Sequence, residues 1–308
     1  MSPNEKVPIA VIGVGYLGQW HARKLAAMDT AELVAVVDTE SFRCNGLAKE
    51  LGCRSVGDYR EIPRMARAAV VAVPTQGHFE VALHLIDSGM DLLVEKPLGA
   101  DLDKAVELDK YAAEAGRILA VGLVERFNPG IVAGLKTIKD PIWMEARRLS
   151  PYKDRTKNVD VVRDLMIHDL DIAHAVAGST GKVVHAVGTS AVTDLPDAVR
   201  AHIKFESGVD AFLEASRLHD IELRQVEVFQ KSERILMDTR ARAAFRYRPG
   251  PTGMEPRALP TDETDPLEEE LRDFVRAVAE RSGPRVTAGD GIEALKLATQ
   301  ILERIGFI

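Results

Sequence analysis

Residues 7–38 read VPIAVIGVGYLGQWHARKLAAMDTAELVAVVD and contain four patterns in succession. Ile9–Ile12 is apolar throughout, as strands buried on both faces of a parallel sheet are. A turn with three glycines follows at Gly13–Gly18, then a helical pattern over 16–28, and then a second apolar run at Leu33–Val37. Strand, glycine turn, helix and strand in this order predict the βαβ unit of a doubly wound sheet.

The same alternation of short apolar runs and amphipathic stretches continues to about residue 122. Asp101 and Gly116 supply the start and stop signals of the last helix in this region. We therefore predict an α/β domain over residues 1–122, with a doubly wound parallel sheet of the Rossmann type. Its further strands are predicted at Ala69–Val73, Leu92–Val94 and Ile118–Val121, and its further helices at 41–51, 77–88 and 101–115.

The pattern changes after residue 123 to a series of strands. Apolar and polar residues alternate over 199–205, which is typical of an antiparallel sheet with one solvated face. We predict an α+β domain over residues 123–308 with a large, mainly antiparallel, open-faced sheet. The stretch 249–266 has five prolines and no periodicity, so we expect an exposed loop there. Strands are predicted at Trp143–Leu149, Val183–Thr193, Val199–Phe205, Asp210–Ser216, Glu222–Phe229 and Arg234–Asp238, and helices near 129–138, at 164–177 and over 266–305, the last interrupted at 283–284 and 288–291.

Composition excludes several classes of protein. The chain has 308 residues, with 40 Lys+Arg against 47 Asp+Glu for a net charge of −7, and it is 46% hydrophobic and 28% charged. These values disfavour a disordered chain, a fibre and a nucleic-acid packaging protein. Two cysteines, Cys44 and Cys53, are too few for a disulfide framework or a thiolate metal site, so we expect a reducing cytoplasm. The apolar stretch Val7–Gly18 is too short to span a bilayer, and no membrane partner is predicted.

The glycine turn matches the pattern GxGxxG at Gly13, Gly15 and Gly18. Its glycines permit a tight turn and a close backbone approach to a pyrophosphate, and the helix N-terminus that follows attracts phosphate charge. Asp38 ends the second strand twenty residues later, where a carboxylate accepts both adenosine-ribose hydroxyls and repels a 2′-phosphate. We predict NAD as the cofactor. A glycine turn without a ligand, and Asp38 as a helix cap, are the alternatives.

Two more segments lie where predicted strands end. These are Val73-Pro74-Thr75 and Glu95-Lys96-Pro97, and ligands of open α/β sheets bind at this edge. Pro97 makes the chain locally rigid, allows a cis bond after Lys96 and so aims the Lys96 amine into the cleft. A surface lysine in a proline turn is the alternative. We also expect Tyr16, Leu17 and His78 to contact the cofactor.

A third candidate group lies at the start of the predicted helix 164–177, where the chain reads DLMIHDLD over 164–171. Asp164 and His168 are four residues apart, so they share one helical face and can jointly hold a substrate hydroxyl. Histidine titrates near neutrality, which suits it to accept the hydroxyl proton. The alternative is an N-terminal salt bridge with a structural histidine. No metal is predicted, because no further His or Cys supplements these residues.

Together these motifs resemble the Gfo/Idh/MocA oxidoreductases, the family of glucose-fructose oxidoreductase and inositol dehydrogenase, over essentially the whole chain. The resemblance implies that Lys96 lies at the nicotinamide and the substrate hydroxyl, that His168 is the acid/base and that Asp164 orients the substrate. It also implies a homodimer or homotetramer, in which a one-sided sheet is buried between subunits. Met166 departs from the family, where many members have glycine, and this puts the pocket shape in question.

A narrower resemblance links three stretches to a bacterial subgroup that includes UDP-N-acetylglucosamine 3-dehydrogenases: Glu125–Pro129, Arg148–Pro151 and Asp160–Asp169. It implies a sugar-nucleotide substrate, and we expect Arg126 and Asn128 to contact it. Residues 147–163 also carry six basic against two acidic side chains, a balance of +4, which could meet a diphosphate. A solvated charged loop or a subunit contact is the alternative.

Other functions on the same fold stay open at this point. The enzyme could oxidise a free polyol or inositol, or could reduce an imine, a bilin or a dihydrodiol. A non-catalytic NAD-dependent sensor is a further alternative, because a fold alone does not prove chemistry. The presence of both Lys96 and His168 favours an enzyme.

Overall fold

The computed structural model describes residues 6–308, apart from the side chain of Arg155. The chain forms two compact units. The first runs to Leu123 and includes Leu267–Ile292, and the second contains Val124–Pro266 and Glu293–Ile308. Residues 267–292 therefore group with the first unit, whereas the sequence places all of 123–308 in one domain.

The first unit contains a six-stranded parallel sheet. Its strand order is β3-β2-β1-β4-β5-β6, the order of the doubly wound dinucleotide-binding fold, and the predicted α/β fold is confirmed. Strand β3 has no predicted counterpart, because it has only three residues and two of them are exposed. The strands are β1 (Val7–Ile12), β2 (Ala31–Val37), β3 (Arg54–Val56), β4 (Ala68–Val71), β5 (Asp91–Glu95) and β6 (Leu119–Gly122), and the helices are α1 (Gly18–Ala26), α2 (Ser41–Leu51), α3 (His78–Asp87) and α4 (Leu102–Glu114).

The second unit contains an eight-stranded sheet of order β14-β13-β12-β11-β7-β10-β9-β8. All its strand pairs are antiparallel except the pair of β7 and β10, so the predicted, mainly antiparallel sheet is confirmed. The strands are β7 (Pro141–Leu149), β8 (Gly181–Thr189), β9 (Ala198–Phe205), β10 (Asp210–Ser216), β11 (Leu223–Gln230), β12 (Glu233–Asp238), β13 (Ala243–Gly250) and β14 (Gly253–Ala258), and the remaining helices are α5 (Pro129–Leu135), α6 (Ile167–Ala177), α7 (Pro266–Glu280) and α8 (Ala288–Arg304).

Helix α7 explains why residues 267–292 belong to the first unit. Leu271, Phe274, Val275 and Val278 repeat at helical spacing and lie in one buried cluster with residues of β1, including Ile9. Burying an apolar side chain of this size contributes about 1.5–3 kcal/mol. The four side chains together therefore contribute a free energy on the order of the whole stability of a domain.

Helices cover one face of the second sheet, with α5 on β12 and β13, and α6 on β7 and β10. Along β10, Ala211, Leu213 and Ala215 are buried, while Phe212 between them is 43% exposed. This alternation gives the sheet its open face.

The expectation of a loop over 249–266 is wrong at its start, and so is the expectation of a turn over 288–291. Residues 243–258 form the antiparallel hairpin of β13 and β14. Strand β14 is an exposed edge, which needs no apolar alternation and tolerates Pro256. Ala288 begins α8 instead of a turn.

Within residues 6–308, no helix has the length and apolar character needed to cross a bilayer.

Candidate active site

The glycine turn of the first unit leaves β1 and enters α1. Gly13 has φ +85°, and a β-carbon there would lie 2.7 Å from the backbone of Ala72 and Val73. A β-carbon at Gly18 would overlap the carbonyl oxygen of Gly13. At Gly15 a β-carbon would meet nothing within 4 Å. Two glycines therefore close the turn, and the third keeps its outer side open, which fits the cradle that a pyrophosphate needs.

Asp38 follows β2 and connects the glycine turn to the approach to α2. Its Oδ2 accepts a hydrogen bond from the Val14 N–H at 2.9 Å, and its Oδ1 accepts one from the Glu40 N–H at 2.9 Å. Arg43 lies 3.8 Å from the same carboxylate. The carboxylate thus lies against the glycine turn, where it was expected, and the residue directly before α2 is Glu40 instead of Asp38.

A cleft of about 440 Å³ opens beside this turn, entirely within the first unit. Tyr16 and Leu17, both predicted cofactor contacts, are 62% and 43% exposed at the tip of the turn. Arg23 and Glu50 form an ion pair at 2.8 Å among the lining residues. The residues that line the cleft are Val14, Gly15, Tyr16, Gln19, Arg23, Arg43, Leu47 and Glu50. These residues fit the adenosine and pyrophosphate end of NAD.

His78 connects the two segments that follow β4 and β5. Its side chain is buried, with Nδ1 2.9 Å from the carbonyl oxygen of Pro97 and Nε2 2.9 Å from that of Val73. Burial lowers the pKa of His78 below its ordinary value, although the bonds to both carbonyls oppose this. His78 therefore supports Val73-Pro74-Thr75 and Lys96-Pro97 from behind, which is a structural role for a predicted cofactor contact.

Glu95 and Lys96 lie at the carboxyl end of β5. The Lys96–Pro97 peptide bond is cis, as the sequence allowed. The Glu95 carboxylate is 8% exposed; its Oε1 lies 2.7 Å from Nε2 of His21, and its Oε2 accepts a hydrogen bond from the Lys96 N–H at 3.2 Å. Burial raises the pKa of Glu95, but His21 and Lys96 outweigh it and the net pKa lies below its usual range. Glu95 thus supports the backbone of Lys96 as an anion and is turned into the interior.

In the second unit, a π-helical turn precedes α6 over Val162–Met166. Asp160 caps it, because its carboxylate accepts the Arg163 N–H at 2.8 Å. Asp164 lies in the π-helical turn and His168 in the first turn of α6, and both are half-buried. Single π-turns inside helices are frequent at functional sites. Met166, the departure from the family, is fully buried in the core.

A buried ionic network supports this helix. Arg148 is 3% exposed; it donates to both oxygens of Asp169 at 2.8 and 3.0 Å, and to Oε1 of Glu125 at 2.8 Å. Burial raises the pKa of Glu125, yet Arg148 more than offsets it and the net pKa is lowered. These bonds fix α6 against β7 and against the chain after β6.

Arg126 and Asn128, the expected substrate contacts, are engaged within the second unit. Nη1 of Arg126 donates to Oδ1 of Asp171 at 2.8 Å. Asn128 is 3% exposed; its amide nitrogen donates to Glu125 and to the Thr239 carbonyl, and its Oδ1 accepts the Gly130 N–H at the start of α5. Asn128 is therefore a buried helix cap, which corrects its expected role in binding substrate.

The basic segment 147–163 is paired within the chain, which argues against the expectation that its excess charge meets a diphosphate. Among the described side chains, each of its cations has a carboxylate within 4 Å, and several of these carboxylates come from outside the segment. Arg155 lies outside the described side chains. The pairs are Arg147–Glu214, Arg148–Glu125, Arg148–Asp169, Lys153–Glu222, Lys157–Asp154 and Arg163–Asp160. The excess charge therefore does not support a diphosphate site.

Two buried residues beside Glu95 were not predicted from the sequence. His21 lies on α1 and Glu270 on α7. One ring nitrogen of His21 and one carboxylate oxygen each of Glu95 and Glu270 lie within 4.8 Å of one another. The readable signal was Glu270, an acid directly before the apolar series Leu271, Phe274 and Val278 of an amphipathic helix. For His21 the sequence carried no comparable signal.

Comparison with known proteins adds to this geometry. A family model described as the oxidoreductase family with an NAD-binding Rossmann fold matches residues 7–123, and the C-terminal domain model of the same Gfo/Idh/MocA family matches residues 140–235. UDP-N-acetylglucosamine 3-dehydrogenase of Acidithiobacillus ferrooxidans is 34% identical over 279 residues, which cover 87% of this chain and 88% of that protein. NAD⁺-dependent scyllo-inositol 2-dehydrogenase of Bacillus subtilis is 29% identical over 241 residues, or 70% of each chain.

A solved structure of UDP-N-acetylglucosamine 3-dehydrogenase from Acidithiobacillus ferrooxidans superimposes with a TM-score of 0.93 at 32% identity, covering 98% of this chain and 99% of that one. The family models and the solved structure thus match this chain in both units. This chain belongs to the Gfo/Idh/MocA family of NAD-binding oxidoreductases.

Proposed function

We propose that this oxidoreductase oxidises a secondary hydroxyl of a nucleotide-linked sugar, with C3 of UDP-N-acetylglucosamine as the reacting carbon. The similarity to UDP-N-acetylglucosamine 3-dehydrogenase over nearly the whole chain carries the proposal. When bound, NAD supplies the nicotinamide carbon that accepts the hydride.

The chain's own residues have three roles in this proposal. His168 accepts the proton of the substrate hydroxyl, and the Lys96 amine assists this proton transfer. Asp164 accepts a hydrogen bond from a sugar hydroxyl and so orients the ring. Glu95 supports Lys96 through its backbone N–H, and the network of Arg148 supports α6, which carries His168.

The direct test is to offer the purified protein NAD with UDP-N-acetylglucosamine and to record the absorbance of reduced nicotinamide. We expect reduction, and a slower rate with substrate deuterated at C3, because the C3–H bond breaks in the hydride step. UDP-glucose, which lacks the N-acetyl group, tests whether that group is recognised. UDP-N-acetylgalactosamine tests whether the configuration at C4 is recognised. If none of these sugar nucleotides reduces NAD, the substrate assignment is refuted.

A free inositol is the second candidate substrate, favoured by the similarity to NAD⁺-dependent scyllo-inositol 2-dehydrogenase. The same assay with scyllo-inositol and myo-inositol separates the two. A higher kcat/KM with an inositol than with UDP-N-acetylglucosamine would identify a free polyol, instead of a sugar nucleotide, as the substrate.

We also propose that the open face of the second sheet pairs with a second copy of this chain in a homodimer or homotetramer. Apolar side chains stand exposed on that face, with Val187 at 53% and Phe212 at 43%. A groove of about 640 Å³ on this face has both arginine and glutamate side chains in its lining, which suits a self-complementary contact. Light scattering should give at least twice the chain mass, and Phe212→Glu should give the monomer.

Both cysteines are free thiols. This agrees with the cytoplasmic location that we retain as part of the proposal.

A further inference from the structure

The first unit contains a buried cluster of three titratable side chains that the proposed chemistry does not use directly. His21 on α1 is fully buried, Glu95 at the end of β5 is 8% exposed, and Glu270 on α7 is 2% exposed. One ring nitrogen of His21 and one carboxylate oxygen of each glutamate lie within 4.8 Å of one another. All three residues belong to the same compact unit.

The cluster has an imbalance of hydrogen bonds. Glu95 is bonded through both oxygens, to His21 and to the Lys96 N–H. Among the described residues, neither oxygen of Glu270 has a hydrogen-bond partner, and both are buried. Burying an ionised carboxylate without a partner costs several kcal/mol or more. Two buried glutamates this close together cannot both stay ionised without a further positive charge.

The groups that face Glu270 do not supply that charge. They are His21 from α1, Glu95 from the end of β5 and Asp273 from its own helix. Glu95 and Asp273 are acids, and the charge of Lys96 already lowers the pKa of Glu95. His21 is bonded to Glu95 through Nε2.

The geometry favours a proton over a metal ion. Nε2 of His21 and Oε1 of Glu95 are 2.7 Å apart, the length of a hydrogen bond. Two ligands bound to a tetrahedral zinc ion at about 2.0 Å lie roughly 3.3 Å apart. The His21–Glu95 pair therefore has the spacing of a hydrogen bond, and Glu270, whose oxygens have no hydrogen-bond partner among the described residues, is the place for a further proton.

We propose that Glu270 is a proton-holding positioning residue, uncharged in the working enzyme, which leaves Glu95 as the single anion that fixes the backbone of Lys96. The inference rests on the proposed role of Lys96. Gly122 accommodates the Glu95 carboxylate, because a β-carbon at that position would lie 3.0–3.2 Å from it. The Glu95 side chain is thereby held between β6, α1 and the residue that follows it in the chain.

Protonation of Glu270 has a predictable effect on stability. Burial, with the charges of Glu95 and Asp273, raises the pKa of Glu270 well above its ordinary value. The folded protein then keeps a proton that the unfolded chain releases at the ordinary glutamate pKa. Stability is therefore lost as the pH rises from that ordinary pKa towards the raised one. Glutamine at position 270 has the same shape and no proton to lose, so its stability lacks this dependence.

The experiment compares the wild-type holoenzyme with Glu270→Gln, and uses Glu269→Gln as a control, because it is the same change at a partly exposed neighbouring position. We expect the infrared difference spectrum of wild type minus Glu270→Gln to contain the carbonyl stretch of a protonated carboxylic acid, which the Glu269→Gln difference lacks. We also expect the Tm of Glu270→Gln to exceed that of wild type by a margin that grows from pH 5 to pH 9.

The positioning role has its own readout. The kcat of wild type relative to Glu270→Gln should fall with rising pH, because only the wild type can lose the Glu270 proton. The KM for NAD should stay within about twofold, and pH effects on groups that both proteins share cancel in the ratio. Glu95→Gln should lower kcat at least about tenfold with little change in NAD affinity.

Three results would overturn the inference: no acid band in the infrared spectrum, a Tm difference that does not change with pH, or one equivalent of bound metal in wild type that Glu270→Gln lacks. If no substrate turns over, the proposed function fails alone. The infrared and Tm measurements still decide whether Glu270 holds a proton.

Discussion

At the scale of single residues, Lys96 and Arg148 illustrate two uses of a positive charge. Lys96 is half-buried at the carboxyl end of β5, where ligands of open α/β sheets bind. Arg148 is enclosed and saturated by two carboxylates. We propose a catalytic role for Lys96, whereas the ion pairs of Arg148 give it a structural one, so substitutions at the two positions should have separable effects.

Lys96→Ala and His168→Ala should each lower kcat by about 10²-fold or more, because each removes a group that acts on the hydroxyl proton. NAD affinity, measured by fluorescence titration, should stay within a few-fold. Lys104→Ala, an exposed lysine on α4, is the control and should behave as wild type. Undiminished turnover in either variant would remove that residue from the mechanism.

Arg148→Met should lower the free energy of unfolding by about 3–5 kcal/mol, because it leaves Glu125 and Asp169 buried without their cation. Arg147→Met on the same strand removes only a half-exposed pair with Glu214 and should cost less than about 1 kcal/mol. Urea unfolding of both variants measures the difference. Equal costs would mean that the buried network contributes nothing beyond a surface ion pair.

At the level of elements, the glycine turn contains, within six residues, one glycine that folding requires and another that leaves room for the cofactor. Gly18→Ala should destabilise the first unit, because the added carbon would overlap the Gly13 carbonyl oxygen. Gly15→Ala should leave the Tm unchanged and weaken NAD binding, because its methyl group would stand in the open cradle. Gly46→Ala within α2 is the control: its β-carbon meets nothing within 4 Å, and alanine should add up to about 1 kcal/mol. Thermal melts and NAD titrations of the three variants check these expectations, and a large loss of Tm in Gly15→Ala would contradict them.

The burial of each strand decides whether it could be predicted from the sequence. The strands that are buried on both faces, such as β1 and β5, have continuous apolar runs, and they were predicted to within two residues of each end. Strand β14 was missed because an exposed edge carries no apolar pattern. Asn128 and the basic segment were misjudged for a different reason. Their partners, Thr239, Glu214 and Glu222, lie about 65 to 110 residues away in the chain, and local charge does not reveal such pairing.

At the scale of the whole molecule, the chain enters the first unit twice. Residues 1–123 supply the sheet, and α7 returns to complete the core around Ile9. A fragment of residues 1–123 should therefore lack Leu271, Phe274, Val275 and Val278 from its core and fail to fold. In the folded full-length chain, the backbone amides of α7 should be protected from hydrogen exchange to the same degree as those of β1. A fragment 1–123 with a cooperative thermal transition would contradict this expectation.

The return of α7 also orders events during synthesis on the ribosome. Domains that are continuous in sequence can fold one after another, amino-terminal first. Here the amino-terminal sheet needs the α7 side chains, as far along the chain as Val278, to complete its core. All of residues 124–266 are therefore synthesised while the apolar face that α7 covers is still exposed. Residues 124–266, the larger part of the second unit, are therefore made before the first unit can complete its core, and the remainder of the second unit, residues 293–308, follows α7. Chaperone dependence should therefore be greatest for chains stalled between residues 123 and 267, and should fall once α7 has been made.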